Sequence, residues 1–352
     1  MDFLPDFLAQ FFTREDFKKN KKNIALLLFL CSNLFKYFKN RIKRVRMRKI
    51  TFLLLVFFCT VNSFPQKNVK RSDKEITDKN KLTVATWNIG YGIKFKEILD
   101  GMEKINADIF ILQEVDKNTK RTGTKDIAFE LAHSLGYGFV WSEEFEELSQ
   151  RDSSLPIKLK TYTGQAILSR YPIKLLQELS FKHQAANWNP HVFPPFNRSW
   201  FQPRNGERIA QIVSVNINGV EVIIVNTHLE SSVSDLKKVP QMEEIFNALG
   251  ELNFQNKPTI IAGDMNTGKG SQSPIVKLVH ENGYHGALWL AYHNKFSNKL
   301  FKAQGTTEKE EVLDWIFVNY NFFVRDAKVL GNIKGSDHYP IFALLEVFSK
   351  TR

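Results

Sequence analysis

Cysteine is almost absent: of 352 residues only Cys31 and Cys59 carry a thiol, and both lie in the first 63 positions. Whatever folds beyond residue 63 has no disulfide, no zinc–thiolate cage and no cysteine nucleophile at its disposal. Long apolar runs are missing too. The strongest two, 24–35 (IALLLFLCSNLF) and 50–61 (ITFLLLVFFCTV), each span 12 residues, short of the roughly 20 that a bilayer-crossing helix needs. Net charge is scarce over most of the chain: residues 1–63 hold 13 Lys and Arg against 4 Asp and Glu, so +9 of the formal +12 sits there and only +3 is spread over the other 289 residues. The main part is therefore only mildly basic, which gives little support to a nucleic-acid-coating protein. What is present is an ordinary globular composition, 43% hydrophobic with 30 Phe and 18 Gly, which excludes disordered and collagen-like chains.

Residues 47–63 have the layout of a secretory signal: Met47-Arg48-Lys49 supplies the positive end, the apolar stretch follows, and Val61 and Ser63 suit peptidase cleavage. The expectation is that translation starts at Met47, that residues 1–46 are a basic extension outside the translated protein, and that export to the periplasm or medium leaves a chain beginning near Phe64. The alternative is a membrane-surface arm over residues 1–50, since Lys/Arg-rich segments bind anionic lipid. Phe58 is too bulky before Cys59 for lipid attachment there. Residues 64–80 are polar and aperiodic and read as a linker.

A single domain over 81–350 follows. Strands are expected at 82–88, 108–113, 165–169, 209–216, 221–227, 258–263, 313–319 and 340–347, and helices at 94–106, 125–135, 235–249 and 274–282. Asn218-Gly219 marks a hairpin, because that pair accepts the positive φ angles of a tight primed turn. Most strands are too apolar to be exposed on either face, which implies stacked sheets covered by helices, an α/β domain. Residues 181–206 interrupt the pattern with four prolines and six aromatic residues. They read as a long loop, either pinned on itself or forming a rim that shapes a substrate site or touches lipid.

Polar residues abut the strands at suggestive points. Asn88, Glu114 and His228 end successive apolar runs, Asp264 and Asn266 end the next, Asp314 lies in a later one, and Asp337-His338 precedes the last. Ends of strands in helix-covered sheets converge where ligands bind. Each residue alone has a structural explanation, as a turn, a cap or a hydrogen-bonded core histidine; together they point to a hard divalent cation. Mg²⁺, or Mn²⁺ or Ca²⁺ in its place, takes oxygen ligands, and Glu114, the Asn88 amide and Asp337 would supply them.

Taken in order, Thr86-Trp87-Asn88-Ile89, Leu112-Gln113-Glu114-Val115-Asp116, Ala166-Ile167-Leu168-Ser169-Arg170, Asn226-Thr227-His228-Leu229, Gly263-Asp264-Met265-Asn266, Leu313-Asp314-Trp315-Ile316 and Ser336-Asp337-His338-Tyr339-Pro340 resemble the motifs of the endonuclease/exonuclease/phosphatase superfamily. The resemblance implies a four-layer α/β sandwich of two mostly antiparallel sheets flanked by helices, and a metal-dependent phosphoesterase. It makes Glu114 the principal metal ligand with Asn88 in support, and His338 a general base with a neutral resting state. Asp314 or Asp337 would orient that histidine, and Asp264 and Asn266 the attacking water and the phosphate. His228 would contact a phosphate oxygen or the leaving group, and Arg208 would contact phosphate or serve as a structural ion-pair partner. His228 also resembles the sphingomyelinase-like, deoxyribonuclease I-like and inositol-phosphatase-like branches more than the exonuclease III branch. The favoured substrate is thus a lipid head group or small phosphodiester, with transient membrane contact through 181–206 and no obligate protein partner evident. A secreted deoxyribonuclease I-like endonuclease, its groove lined by Lys158, Lys160 and Lys334, is the first alternative, and a non-catalytic binding module of the same fold the second.

Overall fold

The computed structural model describes residues 80–348 except 153, 155–158, 192–197, 232 and 296–303. The chain divides into two units, Met1–Val69 and Lys70–Arg352, and every described residue belongs to the second. The expected extension over 1–46, the signal over 47–63 and the linker up to residue 79 lie outside the described residues, as does Lys158.

Two mixed sheets carry the fold. The seven-stranded sheet runs in the order β12 (Phe322–Val329), β13 (Ile341–Val347), β1 (Lys81–Tyr91), β2 (Ile109–Lys117), β4 (Tyr162–Ser169), β3 (Gly138–Glu147), β6 (Arg204–Gly206). The six-stranded sheet runs β10 (Tyr284–Gly286), β11 (Asp314–Asn319), β9 (Thr259–Asp264), β8 (Val220–His228), β7 (Ile209–Ile217), β5 (Ile173–Ser180). Pairing is antiparallel except for β1 with β2 and β8 with β9. Helices α1 (Phe95–Ile105), α2 (Ile127–Leu135), α3 (Asp235–Glu251), α4 (Pro274–Glu281) and α5 (Ala287–Lys295) complete it. No helix among the described residues is long and apolar enough to cross a membrane.

Strand periodicity explains the layers. Side chains alternate faces along a strand, and here both faces are apolar: Val84, Ile109, Ile111, Val213, Ile224, Ile260 and Ile316 pack between the sheets. Their neighbours Ala85, Phe110 and Leu112 meet Ile98 and Met102 of α1 and Leu131 of α2 on one outer face. Ile223, Val225, Ile261 and Phe317 meet Met242 and Ile245 of α3 and Ile275 of α4 on the other. Two of the helices start where a side chain satisfies an orphan N–H group: Asp126 accepts from Phe129 N at α2, and Ser273 from Ile275 N just ahead of Pro274 at α4. This is the expected α/β sandwich with helices on both outer faces.

The expected strands and helices are present to within a few residues at their ends. β3, β5, β6, β10, β12 and α5 had no counterpart in the sequence reading. β2 also continues to Lys117 rather than ending at Glu114, because the strand bulges between Leu112 and Val115 and Glu114 takes φ +51°.

Candidate active site

The inward parity that buries Val84, Ile224, Ile260 and Ile316 continues to the strand ends, where the residues become polar: Asn88 on β1, His228 on β8, Asp264 on β9 and Asp314 on β11. Register then sets them side by side. His228 pairs with Asp264 across the parallel β8–β9 ladder, and Asp314 with Asp264 across the antiparallel β9–β11 ladder. The approach of β8 to β9 requires glycine before Asp264: Gly263 has φ +141°, and a Cβ there would sit 1.9 Å from the Thr227 carbonyl oxygen.

His338 arrives from the loop before β13. Trp87, on the helix-facing side of β1, donates its indole N–H to the His338 carbonyl at 2.9 Å, and the His338 N–H donates to Ser336 Oγ at 3.2 Å. Tyr339 N–H donates to the Thr306 carbonyl at 2.7 Å, while Thr306 Oγ1 accepts from Asp314 N–H at 3.1 Å, so one threonine braces both the histidine loop and the start of β11. Trp87 and Thr306 were not singled out from the sequence: neither titrates, and their role depends on contacts more than 200 residues away for one and across a strand start for the other.

The resulting chain of groups is short and buried. His338 Nδ1 is 2.8 Å from Asp314 Oδ2. His338 Nε2 is 3.8 Å from Asp264 Oδ2, and His228 Nε2 is 3.4 Å from the same oxygen. Asn88 Nδ2 donates to Asp264 Oδ2 at 3.1 Å, and the Asn266 N–H to Asp264 Oδ1 at 2.9 Å. Asn266 has φ +49° and donates its side-chain amide to the Leu229 carbonyl. Asp264, Asp314 and His338 offer ligand atoms all within 4.8 Å of one another.

Environment separates these groups. Burial alone would favour neutral His338, but Asp314 and Asp264 outweigh it and push its pKa up to about 10. These two carboxylates thus favour an imidazolium, where the sequence reading expects a neutral resting state. Burial, helped by the Arg208 guanidinium, holds His228 well below the usual histidine range. Burial also opposes charge on Asp264, yet the two histidines and the hydrogen bonds from Asn88 and the Asn266 backbone hold its carboxyl below the usual range. Asp314 is pushed up by burial, against the pull of His338.

Glu114 is half-buried, and burial drives its carboxyl up to about 7, against the opposing fields of His338 and Arg208. Its bulge is braced from Asp116, which receives both arms of Arg121 at 2.6 and 2.8 Å; the Arg121 guanidinium in turn stacks on Tyr91 at 3.7 Å. Arg208 is buried beside Glu144, 3.5 Å away, and Glu230, 3.9 Å away, while acting electrostatically on Glu114 and Asp264. It is therefore an ion-pair partner that also faces the site electrostatically. Asp337 is exposed, with its carboxylate near Ser336 Oγ, and stands outside the three-residue cluster. Lys160 and Lys334 are exposed. The 181–206 segment is both pinned and projecting. Trp188 is buried and donates to Glu230 at 2.7 Å, whereas Trp200 is 56% and Phe201 91% exposed.

The chain matches the endonuclease/exonuclease/phosphatase family over residues 85–338. Three solved structures share the fold. The human nocturnin catalytic domain, solved with bound sulfate, has a TM-score of 0.54 at 18% identity, covering 77% of this chain and 95% of its own. A family protein from Leptotrichia buccalis has a TM-score of 0.53 at 18% identity, covering 75% and 99%. A family protein from Beutenbergia cavernae has a TM-score of 0.52 at 17% identity, covering 76% and 72%. No curated protein matches the chain in sequence.

Proposed function

Because the chain belongs to the endonuclease/exonuclease/phosphatase family, whose members are generally hydrolases of phosphoesters that use divalent metals, we propose that it hydrolyses a phosphoester with an activated water at the Asp264–His338–His228 cluster. The observation that carries this reading is the spacing around one oxygen, Asp264 Oδ2, with imidazole nitrogens at 3.4 and 3.8 Å. The longer gap exceeds a direct hydrogen bond, so His338 Nε2 is not tied to that oxygen and both atoms can act on a water or phosphate placed beside them.

The donor set fits a hard cation. Glu114 offers carboxylate oxygens whose charged form burial disfavours, and Asp314 Oδ1 is buried without a hydrogen-bond partner; both conditions would be relieved by a nearby positive charge. Glu114 and Asn88 would hold the ion, with the Asp264–Asp314–His338 group beside them. When bound, it supplies electrophilic stabilisation of the charge that builds on phosphate.

The remaining steps belong to the chain's own residues. Asp264, whose carboxyl the two histidines and its hydrogen bonds hold below the usual range against burial, accepts the proton of the attacking water. His338, kept charged and oriented by Asp314, donates toward the phosphate or passes the proton on, a division of labour that diverging pKa values permit. His228, neutral, donates to the phosphate or the leaving group. Asn266 and Arg208 orient the phosphate, the arginine through its field.

The exposed Trp200 and Phe201 favour a substrate presented at a lipid surface, where aromatic side chains partition. The reading is completed by export through residues 47–63. Hydrolysis of bis-p-nitrophenyl phosphate, measured with Mg²⁺ and with EDTA, tests the reaction; no turnover with any divalent ion would instead favour the binding module. Vesicle co-sedimentation of wild type against Trp200→Ala/Phe201→Ala tests the surface, and equal binding removes the lipid preference.

A further inference from the structure

Lys238, in the first turn of α3, takes no part in the phosphoester chemistry, yet it is only 1% exposed. A lysine so placed costs free energy unless its ammonium is paired and hydrogen-bonded. Both conditions hold here. Nζ lies 3.2 Å from Asp235 Oδ1, three residues earlier on the helix, and donates to the Asn266 carbonyl. Asp235 Oδ1 accepts in turn from the Gly268 N–H at 3.0 Å. The first turn of α3 thus grips the loop that follows β9 at two points. That turn is tied to the rest of its helix by one bond fewer than usual, because Pro240 has no N–H for the Leu236 carbonyl.

The gripped loop carries Asn266 away from Asp264, and its residues are fastened alternately to two sides. Met265 N–H donates to the Leu313 carbonyl at 2.9 Å and Thr267 Oγ1 to the Val312 carbonyl at 2.5 Å, both just ahead of β11. Asn266 and Gly268 are fastened instead by Lys238 and Asp235. Asn266 takes φ +49°, a left-handed conformation that asparagine tolerates without preferring, and both its backbone groups are committed: the N–H to Asp264 Oδ1 at 2.9 Å, the carbonyl to Lys238. Its side-chain amide donates to the Leu229 carbonyl at 2.9 Å, which leaves Oδ1 to accept from a water. With the ammonium gone, the carbonyl loses its charged donor, and the aim of Oδ1 and the bond to Asp264 relax together.

We propose that Lys238 is a positioning residue of this site: acting through the Asn266 carbonyl, it holds Asn266 and the Asp264 carboxylate at the angle that turnover requires, and touches neither substrate nor ion. The proposal rests on the phosphoesterase reading, but the brace on Asn266 is measurable without turnover.

Two variants separate the donor from the charge. Asp235→Asn/Lys238→Met removes the ammonium together with its counter-charge, so that no unpaired ion is left buried, and nearly conserves both volumes. Asp235→Asn alone removes the counter-charge and keeps the donor. Kinetics with bis-p-nitrophenyl phosphate and Mg²⁺ are read below the melting transition of each protein. The double variant is expected to lose about 10- to 100-fold in kcat, the scale of a small displacement of a reacting group. Its KM should stay within about twofold, and Asp235→Asn within about threefold of wild type in both constants, since a contact used only in the transition state leaves ground-state binding intact. A purely structural lysine would lower the melting temperature and leave kcat of the folded protein unchanged. A kcat within about twofold of wild type in the double variant, or an equal loss in Asp235→Asn, overturns the proposal. Amide hydrogen exchange at Asn266, followed at one pH in EDTA, tests the brace alone: protection is expected to fall at least about tenfold in the double variant and less than about threefold in Asp235→Asn. If wild type turns over with no divalent ion, the phosphoesterase reading fails; lost protection in the double variant then leaves the brace standing, whereas unchanged protection removes it as well.

Discussion

One carboxylate oxygen organises the site at the level of single residues. Asp264 Oδ2 receives the Asn88 amide and faces two imidazoles, while its pairing partners in the sheet, His228 and Asp314, are fixed by register rather than by flexible loops. Its geometry is therefore set by the backbone, and the substitutions to make are ones that change chemistry without changing packing. Asp264→Asn keeps the volume and removes the proton acceptor; His338→Ala removes the group that Asp314 orients. Each is expected to lower turnover by about 10²–10⁴, the usual contribution of acid–base groups, with the unfolding midpoint of Asp264→Asn measured alongside to show that the fold persists. Asp337→Asn, one position from His338 but exposed, is expected to leave stability within about 0.5 kcal/mol of wild type. Its effect on metal affinity, read by calorimetry, decides whether the exposed carboxylate serves as a third ligand as the sequence motif implied.

Between elements, the critical joint is where the segment after β5 meets α3. Glu244 of α3 accepts the backbone N–H groups of Lys182 and His183 at 2.7 and 3.0 Å and lies 2.6 Å from His183 Nδ1. Burial would raise its pKa, but these hydrogen bonds outweigh burial and hold it below the normal glutamate value of 4.5. A carboxyl depressed on folding contributes stability that is fully present above its unfolded pKa and is lost as pH falls through its folded pKa. Acidification from about pH 5 downward is therefore expected to release the start of the 181–206 segment. Protection from hydrogen exchange at Lys182 and His183, taken relative to the intrinsic rate at each pH, should fall over that range in wild type, and in Glu244→Gln should be low at both ends of it. The same scale shows what the sequence could and could not convey. Strands with two apolar faces, such as β8 and β9, announce themselves by continuous Val and Ile. β5 (IKLLQELS) is a half-exposed edge strand whose apolar spacing matches a helix as well as a strand, and β3 (GFVWSEEFEE) carries four glutamates, three of which pair with arginines distant in sequence or beyond the strand, Glu144 with Arg208, Glu146 with Arg151 and Glu147 with Arg204. The motif residues Asn88, His228, Asp264 and Asp314 were legible because they end or begin apolar runs. Trp87 and Thr306 were not, since hydrogen bonds to distant carbonyls and N–H groups leave no periodic trace.

At the scale of the whole molecule, the two sheets are held together by more than aliphatic packing. Beneath the site lies a buried polar layer: Gln113 Nε2 donates to Asn226 Oδ1 at 2.8 Å, and Asn226 Nδ2 donates to the carbonyls of Leu112 and Ala166 at 2.9 and 3.2 Å. Asn226 belongs to one sheet and all three partners to the other, so this side chain stitches the sandwich at the depth where apolar filling gives way to catalytic groups. Asn226→Ala removes those bonds and takes the side-chain donor from the buried Leu112 and Ala166 carbonyls, while Gln113 Nε2 keeps Thr86 Oγ1 and the Ile111 carbonyl; it is expected to lower the unfolding free energy by about 1–3 kcal/mol, read from denaturant midpoints. The layer also links site occupancy to global stability, because a cation that binds only where the sheets are correctly opposed favours the folded state by mass action. At 100 times its dissociation constant such an ion adds about 2.7 kcal/mol, a rise of several degrees in melting temperature for a domain of this size, at about 2–4 °C per kcal/mol. Mg²⁺, Mn²⁺ and Ca²⁺ should each be titrated against EDTA-treated protein by calorimetric melting. Glu114→Gln is expected to abolish most of the rise while Asp337→Asn retains it if the exposed carboxylate is no ligand; an equal rise in wild type and Glu114→Gln would place the ion elsewhere and separate this glutamate from the cation.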